Sequence, residues 1–128
     1  MNINSKIIKY NKKGFVILRG FFSKNEIKNL MLDLNRVKLK VQRRTSKKFY
    51  HKTKDGKFNT IHDIQIFMKN GPIINITRKK TLKNLVEKIL DDKSILRNIE
   101  FFLKPKKTGM ASPFHQDNFY WNIKSAKA

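Results

Sequence analysis

A short apolar segment that leads directly into a capped helix constrains the fold more than any other feature of the chain. Residues 14–22, GFVILRGFF, are rich in β-branched and aromatic side chains and are bounded by Gly14 and Gly20, which predicts a buried strand. Ser23 and Glu26 then form the S-x-x-E pattern of a capping box, in which the hydroxyl accepts a first-turn amide hydrogen bond and the carboxylate reaches back. A strand followed at once by a helix predicts that the helix packs on a sheet.

Two amphipathic helices are expected. Apolar residues after Ser23 recur at spacings of three and four, which predicts one buried stripe along the first helix. This stripe comprises Ile27, Leu30, Met31, Leu34 and Val37, whereas Lys28, Asn29, Asp33 and Arg36 lie outside it. The second helix begins at Thr77 or Thr81 and ends at Asp92. Its buried face comprises Leu82, Leu85, Val86, Ile89 and Leu90.

The remaining segments are shorter, and strands dominate toward the end. The pattern of residues 41–60 predicts a polar loop or loose hairpin. Residues 61–68 are ambiguous between strand and helix, and Gly71-Pro72 ends that segment. Residues 97–103 and 114–123 predict strands, separated by a turn-rich connection at 106–113. We therefore expect one α+β domain over residues 1–128, with its helices packed on the first strands of the sheet.

Composition narrows the chemistry that is available. The chain has no cysteine, which excludes disulfide bonds, thiolate zinc sites, iron–sulfur ligation and a cysteine nucleophile. Any bound metal must therefore be held by His, Asp or Glu. No apolar run approaches the ~18 residues of a membrane span, and residues 1–10 lack the apolar core of a secretory signal. We expect a cytoplasmic protein of undetermined oligomeric state.

The net charge of +21 raises the question of a polyanionic partner. However, 24 of the 30 basic residues are Lys, and they are distributed along the whole chain. Surfaces that read bases or clamp phosphates favour Arg, so a solvated basic surface is the preferred interpretation. The alternative is a small nucleic-acid-binding module whose lysines meet phosphates and whose aromatic residues stack on bases. The stacking candidates are Phe49, Tyr50, Phe119, Tyr120 and Trp121.

The triplet His115-Gln116-Asp117 is the candidate for chemistry. In an extended segment residues i and i+2 point to the same face, so the imidazole of His115 and the carboxylate of Asp117 would converge. Such a pair is two-thirds of the facial triad that holds non-haem Fe(II). The bland interpretation is a buried aromatic strand with a polar pair at its edge, but that pair would then need other partners to offset desolvation.

Three segments together give this triplet a specific context. GFVILRGFFSKNEIKNL, FFLKPKKTG and HQDNFYWN resemble the phytanoyl-CoA dioxygenase family of Fe(II)- and 2-oxoglutarate-dependent oxygenases, over about residues 14 to 128. The resemblance implies a double-stranded β-helix of the jelly-roll or cupin type, with Fe(II), 2-oxoglutarate and molecular oxygen as cofactor and co-substrates. It also implies hydroxylation of a small-molecule or acyl-thioester substrate.

Carried over by residue, the resemblance makes His115 and Asp117 the first two iron ligands and places Gln116 at the edge of the 2-oxoglutarate site. Two further expectations come from the residues themselves. Side chains alternate along a strand, so Asn98, Glu100 and Phe102 would share a face that lines the same cavity. Lys104 would contact the acidic co-substrate.

The resemblance also implies a distal iron-binding His and an Arg that anchors 2-oxoglutarate, both downstream of the triplet. Eleven residues follow Asp117, and none is His or Arg. We therefore expect an N-terminal portion of a dioxygenase domain, truncated after the first iron-ligand strand and inactive alone, with a non-catalytic remnant as the other possibility. His51 and His62 lie upstream and are interpreted as ordinary polar or core residues.

Overall fold

A computed structural model describes residues 3–43 and 47–117. The described residues form an α+β structure, with helices around a small antiparallel sheet of three strands in the order β1-β2-β3. The elements in chain order are α1 (Ile3–Lys13), α2 (Lys24–Gln42), a 3-10 turn (Lys47–Phe49), β1 (Tyr50–Lys52), β2 (Phe58–Ile61), α3 (Ile64–Phe67), α4 (Pro72–Thr77), α5 (Lys80–Leu90) and β3 (Phe101–Phe102). Within these ranges no helix is long and apolar enough to cross a membrane.

The capping box predicted at the start of α2 is confirmed. The backbone N–H of Glu26 donates to Ser23 Oγ at 3.2 Å, and the N–H of Ser23 donates to Glu26 Oε2 at 2.8 Å. The apolar stripe is buried only over its later part, at Leu34, Val37 and Val41. Toward the N-terminus of α2, Ile27 and Met31 are exposed, so only the second half of the helix packs in the core.

One residue that was placed outside the stripe is instead buried. Asp33 has only 1% of its surface exposed. Its Oδ2 accepts the backbone N–H of Ile73 at 3.1 Å, and its Oδ1 lies 2.7 Å from Arg36 Nη1. The N-cap of α4 is Gly71, which has no side chain to cap the helix, so a carboxylate from α2 satisfies an amide at the start of α4.

The strand predicted over residues 14–22 is wrong. These residues form no strand, and Phe15 and Ile17 are exposed. Gly14 and Gly20 take φ values of +74° and +67°, and such left-handed positions turn the backbone at both ends of residues 15–18. The composition of this segment is typical of a strand, but a strand also needs a neighbouring strand to which its backbone can hydrogen-bond. The helix α1, which precedes it, was not predicted.

The later elements follow the sequence more closely. The loose hairpin is confirmed as β1 and β2, and residues 61–68 contain both expected alternatives, the last residue of β2 and the short helix α3. The second helix is confirmed as α5, but of its predicted buried face only Leu85 is buried, and Leu82, Val86, Ile89 and Leu90 are partly exposed. The strand predicted at 97–103 is reduced to β3, and residues 114–117 form no strand. Residues 118–123 of the last predicted strand lie outside the described residues.

The core joins the second half of α2 to the sheet and to the short helices. Val37 and Val41 pack in one cluster with Phe58 and Ile61 of β2 and with the apolar residues of α3 and α4. Phe49 is also buried in this cluster, with its ring 5.8 Å from that of Phe67. The ring of Phe49 is therefore part of the core and is not available to stack on a base. All four residues of β2 are buried, so the central strand is covered on both faces.

Candidate functional site

The side chains of His115 and Asp117 lie next to each other at the end of the described chain. His115 Nε2 is 3.2 Å from Asp117 Oδ1. The two side chains are close although residues 114–117 do not form the strand on which the prediction was based. Residues 111–117 are all exposed, so this pair lies at the surface of the described part of the chain.

The backbone fixes which ring nitrogen of His115 faces Asp117. His115 Nδ1 is 2.8 Å from the carbonyl oxygen of Pro113. Since a carbonyl oxygen only accepts, Nδ1 carries the hydrogen and donates it. A metal-binding imidazole characteristically uses its second N–H in this way, because the hydrogen bond fixes both tautomer and ring orientation. Nε2 is thereby directed toward the carboxylate oxygen.

The pair fits two adjacent ligands of one metal ion. Bonds of about 2.1 Å to nitrogen and oxygen, at a right angle, separate the two donor atoms by about 3 Å. The observed 3.2 Å between Nε2 and Oδ1 matches this separation. A facial site needs a third protein ligand, and the described ranges contain no group of three His, Asp or Glu side chains that could hold a metal.

The loop before His115 is attached to the hairpin. The buried side chain of Asn59 accepts the backbone N–H of Met110 at 2.9 Å through Oδ1, while its carbonyl accepts the N–H of Leu103 at 2.8 Å. Thr108 Oγ1 donates to Asp55 Oδ2 at 3.3 Å. Lys57, and then Thr53, hold the pKa of the Asp55 carboxyl down to about 2, so Asp55 stays an acceptor. Asn59 was not singled out in the sequence, and no local pattern marks it.

A connected, half-buried polar network lies beside β2 and β3. Asn98 Nδ2 donates to Glu100 Oε1 at 2.6 Å, and the same oxygen lies 3.3 Å from His62 Nδ1. His62 Nε2 lies 3.0 Å from Thr60 Oγ1. One arrangement satisfies every group: Nδ1–H donates to Glu100, and the Thr60 hydroxyl donates to Nε2. His62, interpreted from the sequence as an ordinary polar or core residue, is thus a half-buried member of this network.

Two rings lie beside this network, and both are near the His62 ring. The ring centroid of Phe102 lies 6.5 Å from that of His62, and the ring centroid of His51 lies 5.2 Å from that of His62. Glu100 contacts both Asn98 and His62, and Phe102 lies near His62, so the three residues lie together, and that they line a cavity stays a prediction. Their common neighbour is His62, which sequence reasoning missed. The strand register aligns Thr60 with both His51 and Phe102. To predict the network from the sequence, one would have needed the correct register of these strands.

The two other predicted site residues are exposed. Gln116 lies between the residues of the His–Asp pair. Lys104 follows β3 with a φ of +39°, and its backbone N–H donates to the carbonyl of Asn59 at 3.3 Å. The structure therefore positions the backbone of Lys104 through the same residue that holds the loop.

Comparison with known proteins gives one match. A family model described as phytanoyl-CoA dioxygenase matches residues 10–127, which include the capped helix, the sheet and the His–Asp pair. Neither the curated proteins nor the solved structures contain a match to the chain.

Proposed function

Because the chain belongs to the phytanoyl-CoA dioxygenase family, we propose that His115 and Asp117 are its first two iron ligands. Members of this family are Fe(II)- and 2-oxoglutarate-dependent oxygenases that use molecular oxygen. The observation that carries the proposal is the 3.2 Å separation of Nε2 and Oδ1 in a matched segment. The corresponding reaction is hydroxylation of a small molecule or acyl thioester.

Each residue has a definite task in this proposal. Iron, when bound, supplies the oxidising power, with 2-oxoglutarate and oxygen as co-substrates. Pro113 holds His115 in the tautomer that offers Nε2, and Asp117 supplies an anionic oxygen. Gln116 borders the 2-oxoglutarate site. Lys104 supplies a positive charge for a carboxylate of that co-substrate.

The sheet network has a supporting task. Asn98 and Phe102 line the co-substrate cavity, and the contact with Glu100 fixes the amide of Asn98. Glu100 itself carries a negative charge, which opposes binding of a dianion unless it is compensated. His62, 3.3 Å away, donates a hydrogen bond to this carboxylate, and the positive charge of Lys104 faces the co-substrate.

The proposal extends to the domain. Residues 1–128 form the N-terminal portion of a cupin-like dioxygenase domain that folds in the cytoplasm and requires further strands to complete a jelly roll. Two ligands hold iron weakly and leave most of its positions to water. We therefore propose that residues 1–128 alone do not turn over substrate.

Metal binding tests the assignment directly. Mn²⁺, an EPR-visible substitute for Fe²⁺, is titrated into the 128-residue chain, and bound metal is counted from the loss of the free-ion signal. We expect one weak site, which His115→Ala weakens at least tenfold and the matched control His51→Ala leaves unchanged. Equal affinity for the parent chain and His115→Ala would refute the assignment.

A further inference from the structure

A groove of about 500 Å³ lies along α5 and residues 94–96. Leu82 and Val86, one helical turn apart on α5, form one wall, and Ile95 and Leu96 form another. Ile95 is 92% exposed and Leu96 is 53% exposed. Large apolar side chains beside a concave surface favour an apolar ligand, because its binding removes their surface from water.

Two cations also line the groove, and they differ in how they are neutralised. Lys83 Nζ lies 3.7 Å from Glu87 Oε1, which also accepts the backbone N–H of Ser94. Arg78 forms no ion pair with any residue in 3–43 or 47–117. One unneutralised guanidinium thus stands beside an apolar groove.

We infer that this groove binds an aliphatic monocarboxylate. Charge complementarity selects the headgroup: a single uncompensated Arg matches a single negative charge, and the guanidinium fork matches the two oxygens of a carboxylate. Leu82 and Val86 pack against the chain of the ligand, and Ile95 and Leu96 cover it. The site needs no metal and is independent of the iron proposal.

Methyl NMR with decanoate, kept at monomeric concentrations, tests this binding on the 128-residue chain. We expect saturable one-to-one binding with a Kd of roughly 0.1–1 mM, the range set by the small size of the ligand. Shift changes are expected at the methyl groups of Leu82, Val86, Ile95 and Leu96. Decanol, which has the same chain without the charge, should bind at least fivefold more weakly.

Paired arginine variants separate the specific site from general basicity. Arg78→Gln should weaken decanoate binding at least fivefold and leave decanol binding unchanged. Arg43→Gln, which removes the same charge from a residue outside the groove, should change neither affinity. Both arginines are exposed, so both variants should keep the parent melting temperature.

Three outcomes would overturn the inference: equal affinities for decanoate and decanol, equal losses in Arg78→Gln and Arg43→Gln, or shift changes centred away from the four methyl-bearing residues. The titration contains neither metal nor 2-oxoglutarate. Its failure would therefore leave the Mn²⁺ experiment unaffected, and failure of the Mn²⁺ experiment would leave the groove unaffected.

Discussion

The contact between α2 and α4 and the segment that carries His115 are built in opposite ways. At the first, a buried carboxylate joins elements 40 residues apart and sits against a core of Val37, Val41 and Ile73. At the second, residues 111–117 are all exposed, and His115 contacts Pro113 and Asp117, each two positions away. Stability therefore resides in the first region and the candidate chemistry in the second.

This separation has a physical basis. Buried apolar contacts stabilise the folded state but leave a side chain inaccessible, whereas a ligand site needs donor atoms that reach a ligand. The loop before His115 is held by Asn59 of β2, the strand whose Phe58 and Ile61 belong to the core. The comparison predicts that core variants change stability alone and that loop variants change metal affinity.

The largest effect is expected from the core residue Ile61. Its side chain is fully buried between Val37, Phe49 and the other residues of the cluster. Ile61→Ala should lower the free energy of unfolding by about 3 kcal/mol and Ile61→Val by about 1 kcal/mol, as measured by urea denaturation. Mn²⁺ affinity of the folded fraction should stay within twofold. A parallel loss of affinity in both variants would break the proposed separation.

A smaller loss is expected at Asp33. Asp33→Ala leaves the backbone N–H of Ile73 without its acceptor and removes the partner of Arg36. The free energy of unfolding should fall by about 2 kcal/mol. Arg36 is half exposed, so Arg36→Gln should cost less than about 1 kcal/mol. If Arg36→Gln costs as much as Asp33→Ala, the ion pair rather than the helix cap provides the stabilisation.

Features encoded over a few residues were predictable. The capping box of Ser23 and Glu26, the apolar period of α5 and the hairpin before Ile61 depend on neighbours in sequence. The convergence of His115 and Asp117 also depends on a spacing of two. In each case the chain supplies both partners locally, so the pattern contains the information.

Features that join distant segments were not predictable. The helical periodicity of α2 places Asp33 on the polar side of the helix, which predicts that it is exposed. The partner that buries it, Ile73, lies 40 positions away in the sequence. His62 lacked a visible partner because Glu100 reaches it only once β2 and β3 pair. Residues 15–18 have strand composition, but composition does not specify a neighbouring strand.

Gly109, in the loop before His115, tests whether the position of that loop determines metal affinity. A Cβ at this position would lie 2.9 Å from the backbone of Lys104 and Pro105, so Gly109→Ala must shift the loop. We expect a stability loss of about 1 kcal/mol and Mn²⁺ affinity reduced at least threefold. Gly14→Ala is the control, because it lies outside the hairpin and the loop and its φ of +74° gives strain but no contact within 4 Å. It should lose similar stability at unchanged affinity, and equal affinities in both variants would contradict positioning by the loop.

The smallest effect is expected from the ion pair at the start of α2. The hydrogen bond from Lys79, and then those from Ser23, lower the pKa of Glu26 from 4.5 to about 2 in the folded chain. Because the folded pKa is below the unfolded value, the stabilisation is present above about pH 4.5 and is lost as the pH falls toward 2. Urea denaturation from pH 5 to pH 2 should therefore show a modest decline. This decline should become shallower in both Glu26→Gln and Lys79→Gln, since either change removes the leading contact.

Mn²⁺ affinity at pH 7 should be unchanged in both variants, because Glu26 and Lys79 act on the helices and not on the loop that carries His115. A decline that keeps its full slope in both variants would assign the acid sensitivity to other carboxylates.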